Sequence, residues 1–244
     1  MIEYKIIDLD TYKRKSHLEY FMSMSSCQTG LTVNVDVTLL KDFCKKEGCS
    51  FFLTFMHIVA LSADSIPQFR QRLHRVTKEE RKSPEHSKAP LDGPFKDLEI
   101  REYVESPTSN TEATKDEMYC YCTNFHHMPW KEYIKEATRR QMEARENGTL
   151  DEDPEIEAFY FPTCVPWVHY TDCIHPWGDN FDSNPRFSWG KYEEDFKGRL
   201  MMPVTVRVHH GLVDGLQIAK FYENIDENIK KLAFEKEVHH EINK

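Results

Sequence analysis

The sequence predicts an α/β (α+β) chain built around one β-sheet, because segments of strand and helix periodicity alternate along it. Two neighbouring segments state the pattern most clearly. Val204 to His210 reads as a strand, and Leu216 to Leu232 follows as an amphipathic helix with Ile218, Phe221, Ile225, Ile229 and Leu232 on one stripe. Length is the third observation: 244 residues, 39% of them hydrophobic, can bury a sizeable core. A single domain over residues 1–244 is expected.

Residues 12–24, rich in basic and aromatic side chains, are expected to be helical. Leu31 to Val37 alternates apolar and polar residues, as a half-buried strand does. Asp36 or Thr38 can cap a helix through Lys46 that ends at Gly48. Phe51 to Ser65 is apolar on most faces, which predicts a buried helix stopped by Pro67. Residues 77–97, with Pro84, Pro90, Gly93 and Pro94, read as a surface excursion. Met118 to Phe125 is expected as a strand and Trp130 to Asn147 as a helix stopped by Gly148. Phe159 to Tyr170 is strand-like, and residues 174–190 are expected as loop.

The formal net charge is −9, which argues against a nucleic-acid binder or attraction to anionic lipid. The longest apolar stretch, Phe51 to Leu61, falls well short of the roughly 20 residues that cross a bilayer. Met1 to Asp8 carries no apolar leader core, so no secretory leader is expected. Seven cysteines without a Cys-x-x-Cys pair signal neither a disulfide framework nor a zinc ribbon. The reducing cytoplasm is the expected location. Cys120, Cys122, His126 and His127 are irregularly spaced for structural zinc, and no metal is expected.

The chemistry concentrates in Pro203-Val-Thr-Val-Arg-Val-His-His-Gly-Leu-Val-Asp-Gly215. Strand alternation puts Val204, Val206, Val208 and His210 on one face, and Thr205, Arg207 and His209 on the other. His210 then ends an apolar face before a glycine-containing turn, where partial desolvation favours the neutral, basic imidazole. Asp214 can cap the helix that follows. The pairs His126-His127 and His239-His240 have no such context.

His209-His210-Gly-Leu-Val-Asp214-Gly215 matches the H-H-x-x-x-D-G motif of acyltransferases that use a thioester donor. Several further segments narrow the choice. Arg14-Lys-Ser-His-Leu-Glu19 followed by Cys27, Phe51 to Ile58, Pro67-Gln-Phe-Arg70, Tyr160 to Trp167 and Trp189-Gly-Lys191-Tyr192 together resemble the chloramphenicol acetyltransferase family, from about residue 4 to about residue 232. The resemblance implies a two-layer sandwich, a mixed β-sheet flanked by helices, and acetyl transfer from acetyl-CoA to a hydroxyl of chloramphenicol. It also implies that His210 is the general base, that Thr163 donates to the oxyanion and that Asp214 pairs with Arg14 to hold the loop. Trp167, Ser188 and Tyr192 would line the cofactor path, and Tyr20, Phe21, Cys27 and Cys173 the acceptor pocket. A homotrimer with sites at subunit interfaces is implied, in which Tyr20 and Phe21 serve the His210 of a neighbouring subunit. No acyl-enzyme is implied, so Cys164 and Cys173 need not be nucleophiles.

The chain departs from the family at several positions. Thr163 stands where the family has serine, Val165 where it has asparagine, and Ser50 and Phe52 where it has a lysine and a tyrosine beside CoA. Lys45, Lys46 and Lys191 are the nearest cations to compensate. Cys173 replaces a pocket aromatic. Two alternatives follow: the same chemistry on another hydroxylated small molecule, or a non-catalytic binding protein of the same fold.

Overall fold

The computed structural model describes residues 2–242, and side chains as far as Phe234. His239 and His240 lie outside the described side chains. In chain order the elements are β1 (Tyr4–Ile7), α1 (Lys15–Met22), β2 (Gln28–Asp36), α2 (Thr38–Glu47), α3 (Phe51–Asp64), β3 (Gln71–Arg75), β4 (Leu98–Tyr103), β5 (Thr108–Ala113), β6 (Tyr119–Asn124), α4 (Trp130–Asn147), β7 (Phe161–Val165), β8 (Arg186–Gly190), β9 (Glu193–Glu194), β10 (Leu200–His209) and α5 (Gly215–Ile242).

The β-structure divides into three sheets where one was expected. The largest runs β2-β10-β8-β7 with β9 on β10; β1-β4-β3 and the hairpin β5-β6 form the others. β10 is antiparallel to β2 and β8 while β7 is parallel to β8, so the large sheet is mixed. The hairpin meets it through a parallel bridge between Thr108 and Tyr160.

β10 is central, and residues on both its faces are buried: Val204, Val206 and Val208, and also Thr205 and His209. The three valines join Leu53 and Phe55 of α3 and Ile218, Phe221 and Ile225 of α5 in one apolar core. Ser50 starts α3 as expected of a cap, its hydroxyl accepting from the Leu53 N–H at 3.3 Å. Gly48 ends α2 with a φ of 65°, the left-handed conformation that glycine adopts freely.

Other expectations change. β2 is buried at Val35 but open within the single chain at Leu31, 52% exposed, and Val33, 37% exposed. Residues 186–190 form strand β8, not loop, and the strand-like stretch from Phe159 narrows to β7. Gly148 ends α4 in an extended conformation. A Cβ there would stand 2.4 Å from the Ala144 carbonyl and 2.5 Å from Cys120 Sγ, so close approach fixes this glycine. The 77–97 excursion, which contains a short 3-10 turn, connects the paired strands β3 and β4; Arg81 bonds Asp97 across its base at 2.5 Å. No helix among the described residues is long and apolar enough to cross a membrane.

Candidate active site

β10 ends at His209, so His210 is the first residue of the turn rather than the last of the strand. Its N–H still continues the ladder to β2, donating to the Cys27 carbonyl at 2.7 Å. The His210 Nδ1 lies 3.2 Å from the Val213 carbonyl. A carbonyl only accepts, so the proton is on Nδ1, and in the neutral ring the lone pair is then on Nε2. The ring is half-buried and lies face to face with Phe21, centroids 3.9 Å apart. Phe21 therefore packs on the His210 of its own chain.

His209 has the opposite tautomer. Its Nδ1 accepts from the Gly211 N–H at 3.1 Å, and Nε2 donates to the Asn180 carbonyl at 3.1 Å. Burial pushes this imidazole down to about 4, so it stays neutral and structural. Gly211 is wedged beneath it: a Cβ would meet Leu18 Cδ1 at 2.7 Å and the His209 ring at 2.9 Å.

Arg14 closes the turn. Its Nη1 is 3.5 Å from Asp214 Oδ2, Nη2 donates to the His210 carbonyl at 3.1 Å and Nε to that of Gly211 at 3.3 Å. Asp214 also caps α5. Oδ1 accepts from the Gly215 N–H at 2.7 Å, and the Gln217 side chain returns a bond to the Asp214 N–H at 3.0 Å. The Gly215 N–H holds the Asp214 carboxyl below its ordinary range; burial opposes this and the Arg14 charge adds to it.

Thr163 lies on β7, apart from the turn, in a cavity of about 760 Å³ that Thr111, Trp167, Glu152 and His175 also line. His210 is absent from its walls. Ser188 is the register partner of Thr163 and Thr205. Its hydroxyl is fully buried between Tyr170 and His175, each at 3.1 Å, so it faces no open path within this chain. Trp167 is 78% exposed at the cavity rim. Tyr192 meets the Phe51 ring edge-on at 5.9 Å, beneath Lys41 Nζ, which stands 5.4 Å from the Tyr192 centroid. Tyr20 is exposed and packs edge-on to Phe21. Cys27 is buried, and burial pushes its thiol up to about 11. Cys173 does not line the cavity; its carbonyl accepts from Arg207, and His175, two residues on, supplies the ring instead.

Sequence reasoning missed Thr111, Glu152, His175 and Lys41. Thr111 sits on a strand too polar to be recognised, and His175 lies in a loop without periodicity. The His175 imidazole is pushed down to about 4, by burial first and then by Arg186 and Arg207.

The four residues weighed for zinc do not come together. His126 and His127 instead turn to Asp64, at the end of α3, where one carboxylate oxygen accepts from both Nε2 atoms at 2.6 and 2.7 Å. Tyr160 donates to the other oxygen at 2.7 Å. Ligand atoms around one zinc ion stand about 3.3 Å apart, so these separations are those of hydrogen bonds.

The fold is that of a solved chloramphenicol acetyltransferase, which superposes with a TM-score of 0.72 at 20% identity, covering 93% of this chain and all of the other. The chain belongs to the chloramphenicol acetyltransferase family, whose sequence model matches residues 2–80 and 107–226. Between them lies residues 81–106, most of the excursion together with β4. Relatives include the chloramphenicol acetyltransferases of Proteus mirabilis, 24% identical over 91% of this chain and 93% of that protein, and of Klebsiella sp., 25% identical over 92% and 93%.

Proposed function

We propose that this chain, acting as a single domain, transfers the acetyl group of acetyl-CoA to a hydroxyl of chloramphenicol. The observation that carries the reading is the state of His210: Nδ1–H is tied to Val213 and Nε2 is left as a free base. Nε2 takes the hydroxyl proton, and the oxygen attacks the thioester carbonyl. The Thr163 hydroxyl donates to the oxyanion of the tetrahedral intermediate. Collapse releases the acetyl ester and the CoA thiolate, which recovers the proton from His210. No cysteine enters the sequence.

The base and the oxyanion donor come from different copies. Along β10 and across to β7, His210 and Thr163 of one chain are separated by about 16 Å in one direction and about 10 Å in the other. One acyl group cannot reach both. A homotrimer with sites at its interfaces answers this, and Leu31, Val33, Trp167 and Ile174 supply exposed apolar surface for it. In that arrangement Thr163, Trp167, Tyr20 and His175 face the acceptor of a neighbour's His210, with Cys27 and Cys173 behind them. Phe21 stays with its own base.

On the cofactor side Trp167 and Tyr192 flank the path of CoA, with Ser188 buried behind Tyr170 and His175. Lys41 over the Tyr192 ring is half-buried where Lys45, Lys46 and Lys191 are exposed, and it supplies a cation where Ser50 has none. The protein works without a metal, in the cytoplasm.

A more polar alcohol is the second reading for the acceptor. Glu152, held by Ser109 at 2.9 Å, and neutral His175 both line the cavity. Thiol release from acetyl-CoA, compared between chloramphenicol and polar alcohols, decides between them. Release with no acceptor tried would contradict both. A monomer by light scattering would contradict the interface site.

A further inference from the structure

Thr163 stands where the family has serine, and its methyl group restricts χ1. A hydroxyl that must meet an oxyanion needs a fixed direction and a proton free to donate. The neighbouring strand supplies both. Thr111 on β5 lies beside Thr163 on β7, their Oγ1 atoms 2.9 Å apart, and both line the same cavity.

Each hydroxyl has one proton. If Thr163 gives its proton to the oxyanion, the bond between the two can only run from Thr111 to Thr163. We propose that Thr111 is a positioning residue for the acetyl transfer. Its O–H donates to Thr163 Oγ1, selects the rotamer that faces the cavity and leaves the Thr163 proton for the intermediate. A hydroxyl that accepts one hydrogen bond is also the better donor of the next. This rests on Thr163 being the oxyanion donor.

The pair ends a row of hydroxyls across the sheet. Register places Thr163, Ser188, Thr205 and Thr32 side by side on β7, β8, β10 and β2. Thr32 and Thr205 bond each other at 2.7 Å, and Tyr170 reaches Ser188 at 3.1 Å and Thr205 at 3.4 Å. At the other members of this row a side chain from outside the sheet engages the hydroxyls: Tyr170 and His175 on Ser188, Asp172 on Thr32. Among the described residues Thr163 has only Thr111 as a hydroxyl partner, so the direction of that bond governs what Thr163 can donate.

A cross-strand threonine pair also stabilises a sheet by itself, so the test must read chemistry. Thr111→Val, Thr111→Ser, Thr163→Ala and the double variant Thr111→Val/Thr163→Ala are assayed by thiol release with acetyl-CoA and chloramphenicol. Melting temperature and oligomeric state are recorded alongside. Thr111→Val should lower kcat about tenfold with both KM values within about twofold, the effect of losing one polarising hydrogen bond. Thr111→Ser should restore kcat to within about twofold of the unaltered protein. The double variant should be no slower than Thr163→Ala. Full kcat in Thr111→Val beside a slow Thr163→Ala would overturn the role of Thr111 and leave the oxyanion reading standing. An unaffected Thr163→Ala would overturn both. A slow Thr111→Val that serine does not rescue, or that slows Thr163→Ala equally, would mark a structural effect and overturn the proposal.

Discussion

Arg14 spans the turn that carries His210: one nitrogen faces Asp214 at 3.5 Å, and two others hold the carbonyls of His210 and Gly211. The Arg14 side chain is 16% exposed and that of Asp214 44%, so solvent screens the charge pair. The planar fork on two consecutive carbonyls is what lysine cannot reproduce.

Arg14→Lys is therefore expected to behave like Arg14→Ala in catalysis. Both should lower kcat on the order of 10²-fold through misplacement of the base, with smaller changes in KM. Asp214→Asn keeps a capping side chain and should lose less stability than Asp214→Ala, for which about 1 kcal/mol is expected. Steady-state kinetics and thermal melts check both.

Gly211→Ala forces a methyl group against Leu18 and the His209 ring. Overpacking of this kind costs about 1–3 kcal/mol, or a drop of about 2–4 °C in Tm for each kcal/mol. Activity should fall as well, because Gly211 directly follows His210 and its N–H holds the His209 ring. A melt and an activity assay of one preparation read both effects.

Burial alone would raise the Asp64 carboxyl, but bonds from His126, His127 and Tyr160 hold it down at about 2. A depressed carboxyl gives stability that is present above its ordinary value of 3.8 and is lost as pH falls toward 2. Asp64→Asn should lower stability at pH 7 by about 3 kcal/mol, a low value for a buried pair because His127 is 45% exposed. The variant should also show a shallower loss between pH 4 and 2. The bond to Asp64 raises His127, burial opposing, so its contribution has the opposite sign: present below 6.5 and lost as pH rises through the raised value. Denaturant melts across pH test both limbs.

Burial pushes the Cys27 thiol up to about 11 and that of Cys164 up to about 12. At neutral pH the Cys27 thiolate is then on the order of 10²-fold scarcer than in an ordinary thiol. Iodoacetamide at pH 7 should leave both unlabelled, and Cys164→Ala should keep its activity. Peptide mass spectrometry and thiol release measure this; an acetyl group trapped on Cys164 would contradict direct transfer.

Much of the helical layer was legible in the sequence, and much of the sheet was not. α3 and α5 carry long apolar patterns: α3 lies within one residue of its expected bounds, and α5 starts within one residue of its expected start but runs on to Ile242 where Leu232 was the expected end. β3, β4 and β5 were not legible, because polar side chains take up their buried positions. Arg72 is held by Asn184 and Ser106, Arg101 by Glu80 and Glu157, and Glu112 by Arg145. Alternation of apolar residues cannot announce strands stabilised in this way. The turn holding His210 was legible because its motif is contiguous. The cavity was not, since Thr111, Glu152, Thr163 and His175 come from four separate segments. β2 read as half-buried, and in the single chain Val35 is buried while Leu31 and Val33 lie open.

The free Nε2 of His210 is the centre of the account, and its replacement is the most direct test. Thiol release from acetyl-CoA with chloramphenicol should fall by about 10²–10⁴-fold in His210→Ala, with the fold and oligomeric state retained. An equal rate in the variant and the unaltered protein would contradict the assignment of the base.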